Sequence, residues 1–207
     1  MTIAAAGLVD HAWWLGSRSA GILAYVLLSL SVVLGIAMAT RSAPTKFRPA
    51  LRTAHARIAL IALAALAAHG LMLLGDAWLH PGLAGILVPF ALDYQPFWTG
   101  IGICAGYLTI ALSLSYYVRR WVGPRRWRSA HRLIPVAWLM ATGHVLGAGS
   151  DAGALWLQVP LAATVGSVAL MLAYRWTGSR APRQATPGRP ARPAPPARPM
   201  RPARSTR

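Results

Sequence analysis

Five stretches of this chain, about 20–39, 55–74, 97–118, 131–148 and 153–174, are long, apolar and almost free of charge, the fourth being the shortest. A helix rises about 1.5 Å per residue, so roughly 20 apolar residues cross the ~30 Å hydrocarbon core of a bilayer. Inside hydrocarbon only helices and closed barrels satisfy their own backbone, and runs this long that are apolar on every face are helices. The expected fold is therefore all-α, a polytopic membrane helical bundle of about five transmembrane helices. A composition of 56% hydrophobic and 12% charged residues excludes an ordinary soluble domain.

The charges orient the bundle. Arg41, Lys46, Arg48, Arg52 and Arg57 flank the first connection, Arg119, Arg120, Arg125, Arg126, Arg128 and Arg132 fill the next alternate one, and the remaining arginines but one lie from Arg175 onward. Only Arg18 falls on the opposite side, with Asp10, Asp76, Asp93 and Asp151. The positive-inside rule then predicts an outer N-terminus and a cytoplasmic C-terminus in a multi-pass plasma-membrane protein. The net charge of +17 follows from that placement, and no nucleic-acid motif accompanies it. Residues 1–19 lack a basic n-region and contain Asp10 and His11, so they are expected as an outer N-terminal segment before a retained first span.

Residues 20–176 make the predicted transmembrane domain. Ala77 to Pro96, broken by Gly82, Pro81 and Pro89, is expected as an interfacial or re-entrant outer loop, and Trp13, Trp14, Trp98, Trp121, Trp127 and Trp156 mark span ends. Residues 177–207 are an Arg/Pro-rich segment with no apolar face, expected to be a disordered cytoplasmic tail held near anionic lipid or, in a sharper reading, docking an acidic partner. The single Cys104 lies in an apolar run and forms no disulfide framework.

Intramembrane ionisable residues are costly and mark function by default. Four of the six histidines fall inside spans: His55 and His69 on the second, His131 and His144 on the fourth. The first pair is 14 residues apart, about 21 Å of rise, and the second 13 apart, about 20 Å. Both spans run the same way, so His55 is level with His131 and His69 with His144. Two imidazoles opposed at one depth are a ready pair of axial ligands for haem iron, and the arrangement provides for two haems, one near each leaflet. The Ala59 to Ala68 run would leave room beside the backbone, although small residues also promote helix contact. Thirteen residues leave His131 and His144 out of angular register, and Pro135 between them is expected to kink the span and re-aim one ring. Trp138, midway between them, reads as bundle packing in preference to an aromatic spacer.

These spacings, with Leu15-Gly16-Ser17-Arg18-Ser19-Ala20-Gly21-Ile22 entering span one and Pro96-Phe97-Trp98-Thr99-Gly100-Ile101-Gly102 entering span three, resemble a known family. It is the ferric reductase-like transmembrane domain shared by ferric reductases, NADPH oxidases and the haem-bearing membrane subunit of bacterial methionine sulfoxide reductase systems. The resemblance covers roughly residues 13–175. It implies a membrane cytochrome b with two b-type haems passing single electrons across the membrane, His55 and His131 on the inner haem and His69 and His144 on the outer. The flavin and nicotinamide module of the reductases and oxidases has no counterpart here, and no GxGxxG loop occurs in a strand-turn-helix context, so no NAD(P)H or flavin chemistry is expected of this chain. Electrons would come from a flavoprotein or the quinol pool and leave to an outer acceptor. The histidines taken alone also allow a haem-free scaffold tied by interhelical hydrogen bonds, or a proton or metal-ion transporter. His11 and His80, near the outer aspartates, match no recognised metal-site spacing.

Overall fold

The computed structural model describes residues 3–40 and 44–178, and every regular element among them is a helix. α1 spans Ile3–Ala39, a 3-10 turn at Thr45–Phe47 leads into α2 (Arg48–Leu73), and a short α3 (Gly82–Leu87) sits in the connection to α4 (Pro96–Val122). α5 (Pro124–His131), α6 (Ile134–Ala148) and α7 (Leu155–Gly178) complete the bundle. Helix starts follow proline: Pro49, Pro96, Pro124 and Pro135 each occupy a first-turn position, where their missing N–H is one the helix would leave unpaired. The α4–α5 junction turns on Gly123, whose φ of 91° suits glycine alone.

Four helices are long and apolar enough to cross a membrane: His11–Ala39 within α1, Thr45–Leu73 across the 3-10 turn and α2, α4, and Leu155–Tyr174 within α7. They coincide with four of the five expected spans. The fifth differs. The expected continuous span over 131–148 is divided at Arg132 and Leu133, leaving a 15-residue α6, about 22 Å long against a ~30 Å hydrocarbon core. The Arg/Pro segment lies, from residue 179, outside the described residues.

α1 packs along α2, α4 packs along α6, and α7 covers α1. The two hairpins meet chiefly through α1 and α6, while α2, which carries His55 and His69, makes little direct contact with α5 and α6, which carry His131 and His144. A core of Tyr25, Val32 and Ile36 from α1, Trp138 from α6, and Leu161 and Val168 from α7 joins the halves. At its centre four hydrogen bonds close a circuit. The Thr142 hydroxyl donates to the Trp138 carbonyl at 2.9 Å, so the Tyr25 hydroxyl, 3.0 Å from Thr142 Oγ1, is the donor to it. Trp138 Nε1–H donates to Ser29 Oγ at 2.9 Å, and Ser29 donates to the Tyr25 carbonyl at 2.8 Å. Each polar group that α1 and α6 bury here is thus satisfied by the pairing of the two helices, which in hydrocarbon water cannot do. Trp138, 1% exposed, is bundle packing, as expected.

The expected loop between spans two and three is folded on itself. Asp76 Oδ1 accepts from the N–H groups of Trp78 and Leu79, both at 2.9 Å, and the Tyr107 hydroxyl donates to the Leu87 carbonyl. Tyr94 donates to the Ala148 carbonyl at 3.3 Å, tying the loop to the end of α6. At the same end of the bundle Arg18 pairs with Asp151, joining α1 to the α6–α7 turn.

Candidate functional site

The four intrahelical histidines come together in two pairs. The rings of His55 and His131 have centroids 6.3 Å apart with planes at 88°, and those of His69 and His144 lie 6.4 Å apart at 68°. These are the pairs expected from topology. Among the described residues no three His, Cys, Asp or Glu side chains converge, and these histidines meet in twos.

Each ring is oriented through Nδ1 by a backbone carbonyl of the adjacent helix. His69 Nδ1 is 2.8 Å from the Ser17 carbonyl and His55 Nδ1 is 3.0 Å from that of Ser31, both on α1. His144 Nδ1 is 3.0 Å from the Trp98 carbonyl and His131 Nδ1 is 3.4 Å from that of Leu112, both on α4. A carbonyl only accepts, so each imidazole donates from Nδ1 and keeps its Nε2 lone pair. That is the arrangement by which a metal-ligating histidine is oriented, the second nitrogen being fixed by a carbonyl.

Helix geometry explains the register. α1 and α4 each present their two acceptors 14 residues apart, Ser17 with Ser31 and Trp98 with Leu112, and α2 carries its histidines at the same spacing. His131 and His144 are one residue short of that repeat, which on a continuous helix would rotate one ring about 140° from the other. The kink expected at Pro135 is instead a full interruption. α5 ends at His131, Arg132 and Leu133 form a turn, and Pro135 opens α6. This tight turn, whose residues bond three apart in place of four, breaks the α-helical phase, and the two rings face His55 and His69.

Close approach of the rings requires glycine. A Cβ at Gly102 would stand 2.4 Å from His144 Nδ1 and one at Gly21 would stand 2.8 Å from His69 Nδ1, while one at Gly35 would reach His55 Cε1 at 3.4 Å. Gly70, Gly143 and Gly147, nearest the outer histidines in sequence, face Ile86, Ile101 and Trp98 instead. His131 is held differently. Four residues after Leu112, where Gly102 follows Trp98, the residue is Tyr116, and Trp127 stacks on the His131 ring at 5.2 Å and 27° while contacting Tyr116 edge-on. Trp127 Nε1 is the one buried side-chain polar atom among the described residues with no partner. His11 packs near Trp14 at 5.8 Å, apart from both pairs.

Ser17, Ser31, Gly21, Gly35, Gly102 and Trp127 were not singled out as site residues by the spacing of the histidines alone. The signal for the first four is in the sequence: Ser17-x3-Gly21 recurs as Ser31-x3-Gly35, with the 14-residue period of His55 and His69.

The chain is an all-α polytopic membrane protein in which two histidine pairs face each other at two levels, each ring fixed through Nδ1. A family model described as ferric reductase like transmembrane component matches residues 20–142, more than half of the chain, and the chain belongs to that family. At that level it is a membrane electron-transfer component. The matched stretch includes His55, His69 and His131 and ends two residues before His144. Comparison with curated proteins and with solved structures returned no match.

Proposed function

We propose that the chain is a membrane cytochrome b holding two bis-histidine b haems, one between His55 and His131 and one between His69 and His144, that conducts single electrons across the plasma membrane. The carrying observation is the ring separation. Two imidazoles that shared one metal through Nε2, at bonds of about 2.0 Å, would have ring centroids roughly 6.3 Å apart. The observed 6.3 and 6.4 Å meet that requirement twice.

The surroundings fit the group as well. α2 makes little direct contact with α5 or α6, so the paired histidines are not brought together by packing of their own helices. Bound haem would supply reversible one-electron chemistry at each level. The chain supplies the rest: Ser17, Ser31, Trp98 and Leu112 fix the rings and their tautomers, and the lipid-embedded helices exclude water. A haem-free scaffold accounts for the Nδ1 bonds but not for Nε2, which takes part in no hydrogen bond of any of the four rings among the described residues.

The positive-inside rule supports a cytoplasmic position for α5 and the α1–α2 connection, which would put His55 and His131 at the inner level. The electron donor is then a cytoplasmic flavoprotein or a quinol, and the acceptor lies outside. The test is purification in detergent with haem supplied during expression. A sharp Soret band with resolved bands on reduction, at two haems per chain, is expected; a colourless preparation overturns the reading.

A further inference from the structure

The 14-residue repeat in α1 builds the same device twice, and the histidines on α6 and α5 have nothing equivalent. Ser17 and Ser31 are both buried, at 2% and 4% exposure, on a helix face turned to α2. Ser17 Oγ lies 3.1 Å from His69 Nδ1, and Ser31 Oγ lies 3.0 Å from His55 Nδ1, each beside the carbonyl of the same serine. Each of these Nδ1–H groups is therefore shared between two oxygens of one residue. Ser17 Oγ also donates to the His69 carbonyl at 3.0 Å, closing a reciprocal clamp. His144 and His131 meet a carbonyl alone, from Trp98 and Leu112. Gly21, four residues after Ser17, lets α1 approach His69 closely, since a Cβ there would stand 2.8 Å from Nδ1, while at Gly35 a Cβ would meet His55 at 3.4 Å.

The geometry points to Ser17 and Ser31 as positioning residues that set the reduction potentials of the two levels, Ser17 acting through His69 and Ser31 through His55. This rests on the haem reading above. A second acceptor on Nδ1–H raises the electron-donating strength of the ring at Nε2, which stabilises the more highly charged ferric state and lowers the potential. The ligand from α2 is the stronger donor at each level, and one residue per level adjusts it.

The experiment is potentiometric titration of the full-length, haem-loaded protein in detergent, with wild type, Ser17→Ala, Ser31→Ala and Ser29→Ala compared. Alanine keeps the carbonyl and removes only the hydroxyl. His69→Ala, retaining the inner couple, identifies which wave is which. Ser31→Ala is expected to raise the inner couple and Ser17→Ala the outer. Each shift is about threefold in the ferric/ferrous equilibrium, or about 28 mV at 59 mV per tenfold for a one-electron couple. Ser29, equally buried on α1 but bonded to Trp138, reports packing loss alone, and its variant should leave both couples in place. If an alanine variant retains one haem only, Ser→Cys at that position is read instead, its weaker acceptor giving a smaller shift of the same sign. Unmoved couples in haem-replete variants, both couples moving together, or an equal shift in Ser29→Ala would each overturn the assignment. A wild type without haem would instead remove the reading on which it rests.

Discussion

The ring of Trp127 stacks on that of His131, centroids 5.2 Å apart and planes 27° from parallel, at the point where α5 ends. His131 needs this support more than the other three. Its Nδ1 contact to the Leu112 carbonyl is the longest of the four at 3.4 Å, and the turn that follows it removes the rigidity of a continuous helix. Replacing Trp127 with alanine should therefore release the inner haem selectively. The expected preparation retains about half the haem, with the outer low-spin signal intact, read by pyridine haemochrome and electron paramagnetic resonance. Full retention of both haems would show that the stack carries no orientation.

His55 and His69 lie about 21 Å apart along α2, so under the proposed function the two haems should be lost separately. Alanine at His69 or His144 should remove the outer haem and leave about half the absorbance, and alanine at His55 or His131 should do the same for the inner. Redox titration of each variant then gives a single wave. Loss of all haem from every variant would contradict two separate sites.

Much of this site was legible in the sequence, and the part that was not has a physical cause. The apolar runs and the 14-residue spacing of His55 and His69 required only helix rise and membrane thickness, and the four long helices fall where those rules put them. The spacing of His131 and His144 was the visible inconsistency, and Pro135 was the correct neighbourhood for its resolution. A proline, however, can either kink a helix or begin a new one. That choice depends on whether the preceding residues make other contacts, here Trp127 against His131 and His131 against Leu112. The serines of α1 escaped because hydroxyls in a membrane helix usually bond back to their own helix, as Thr40 and Ser167 do here. Only the antiparallel pairing of α1 with α2 shows that Ser17 and Ser31 reach across.

The glycines rank by distance. Gly102→Ala puts a Cβ 2.4 Å from His144 Nδ1 and Gly21→Ala puts one 2.8 Å from His69 Nδ1, so both must displace an outer ring. Gly35→Ala meets His55 at 3.4 Å and Gly106→Ala meets Leu66 at 3.8 Å, an ordinary contact. Outer haem occupancy should fall furthest in Gly102→Ala, less in Gly21→Ala, and stay near wild type in the other two. Occupancy measured against protein concentration checks the order, and equal loss across the series would mean that the ring positions do not depend on these approaches.

The circuit between α1 and α6 separates packing from ligation. Trp138→Phe keeps an aromatic ring in the core but removes the donor to Ser29, leaving a hydroxyl oxygen buried without that bond at 0% exposure. Losing one buried hydrogen bond of this kind costs about 1–3 kcal/mol. Because the Tyr25, Ser29, Trp138 and Thr142 bonds hold the two hairpins together, the loss should appear as earlier thermal release of both haems at once. The spectra and both potentials before melting should match wild type, since none of the four residues bonds to a histidine. Double replacement of Ser29 with Ala and Trp138 with Phe removes both partners, so it should destabilise less than the sum of the two single changes. Thermal melts followed at the Soret band on all four proteins give that coupling, and strict additivity would show that the indole N–H and the Ser29 hydroxyl act independently.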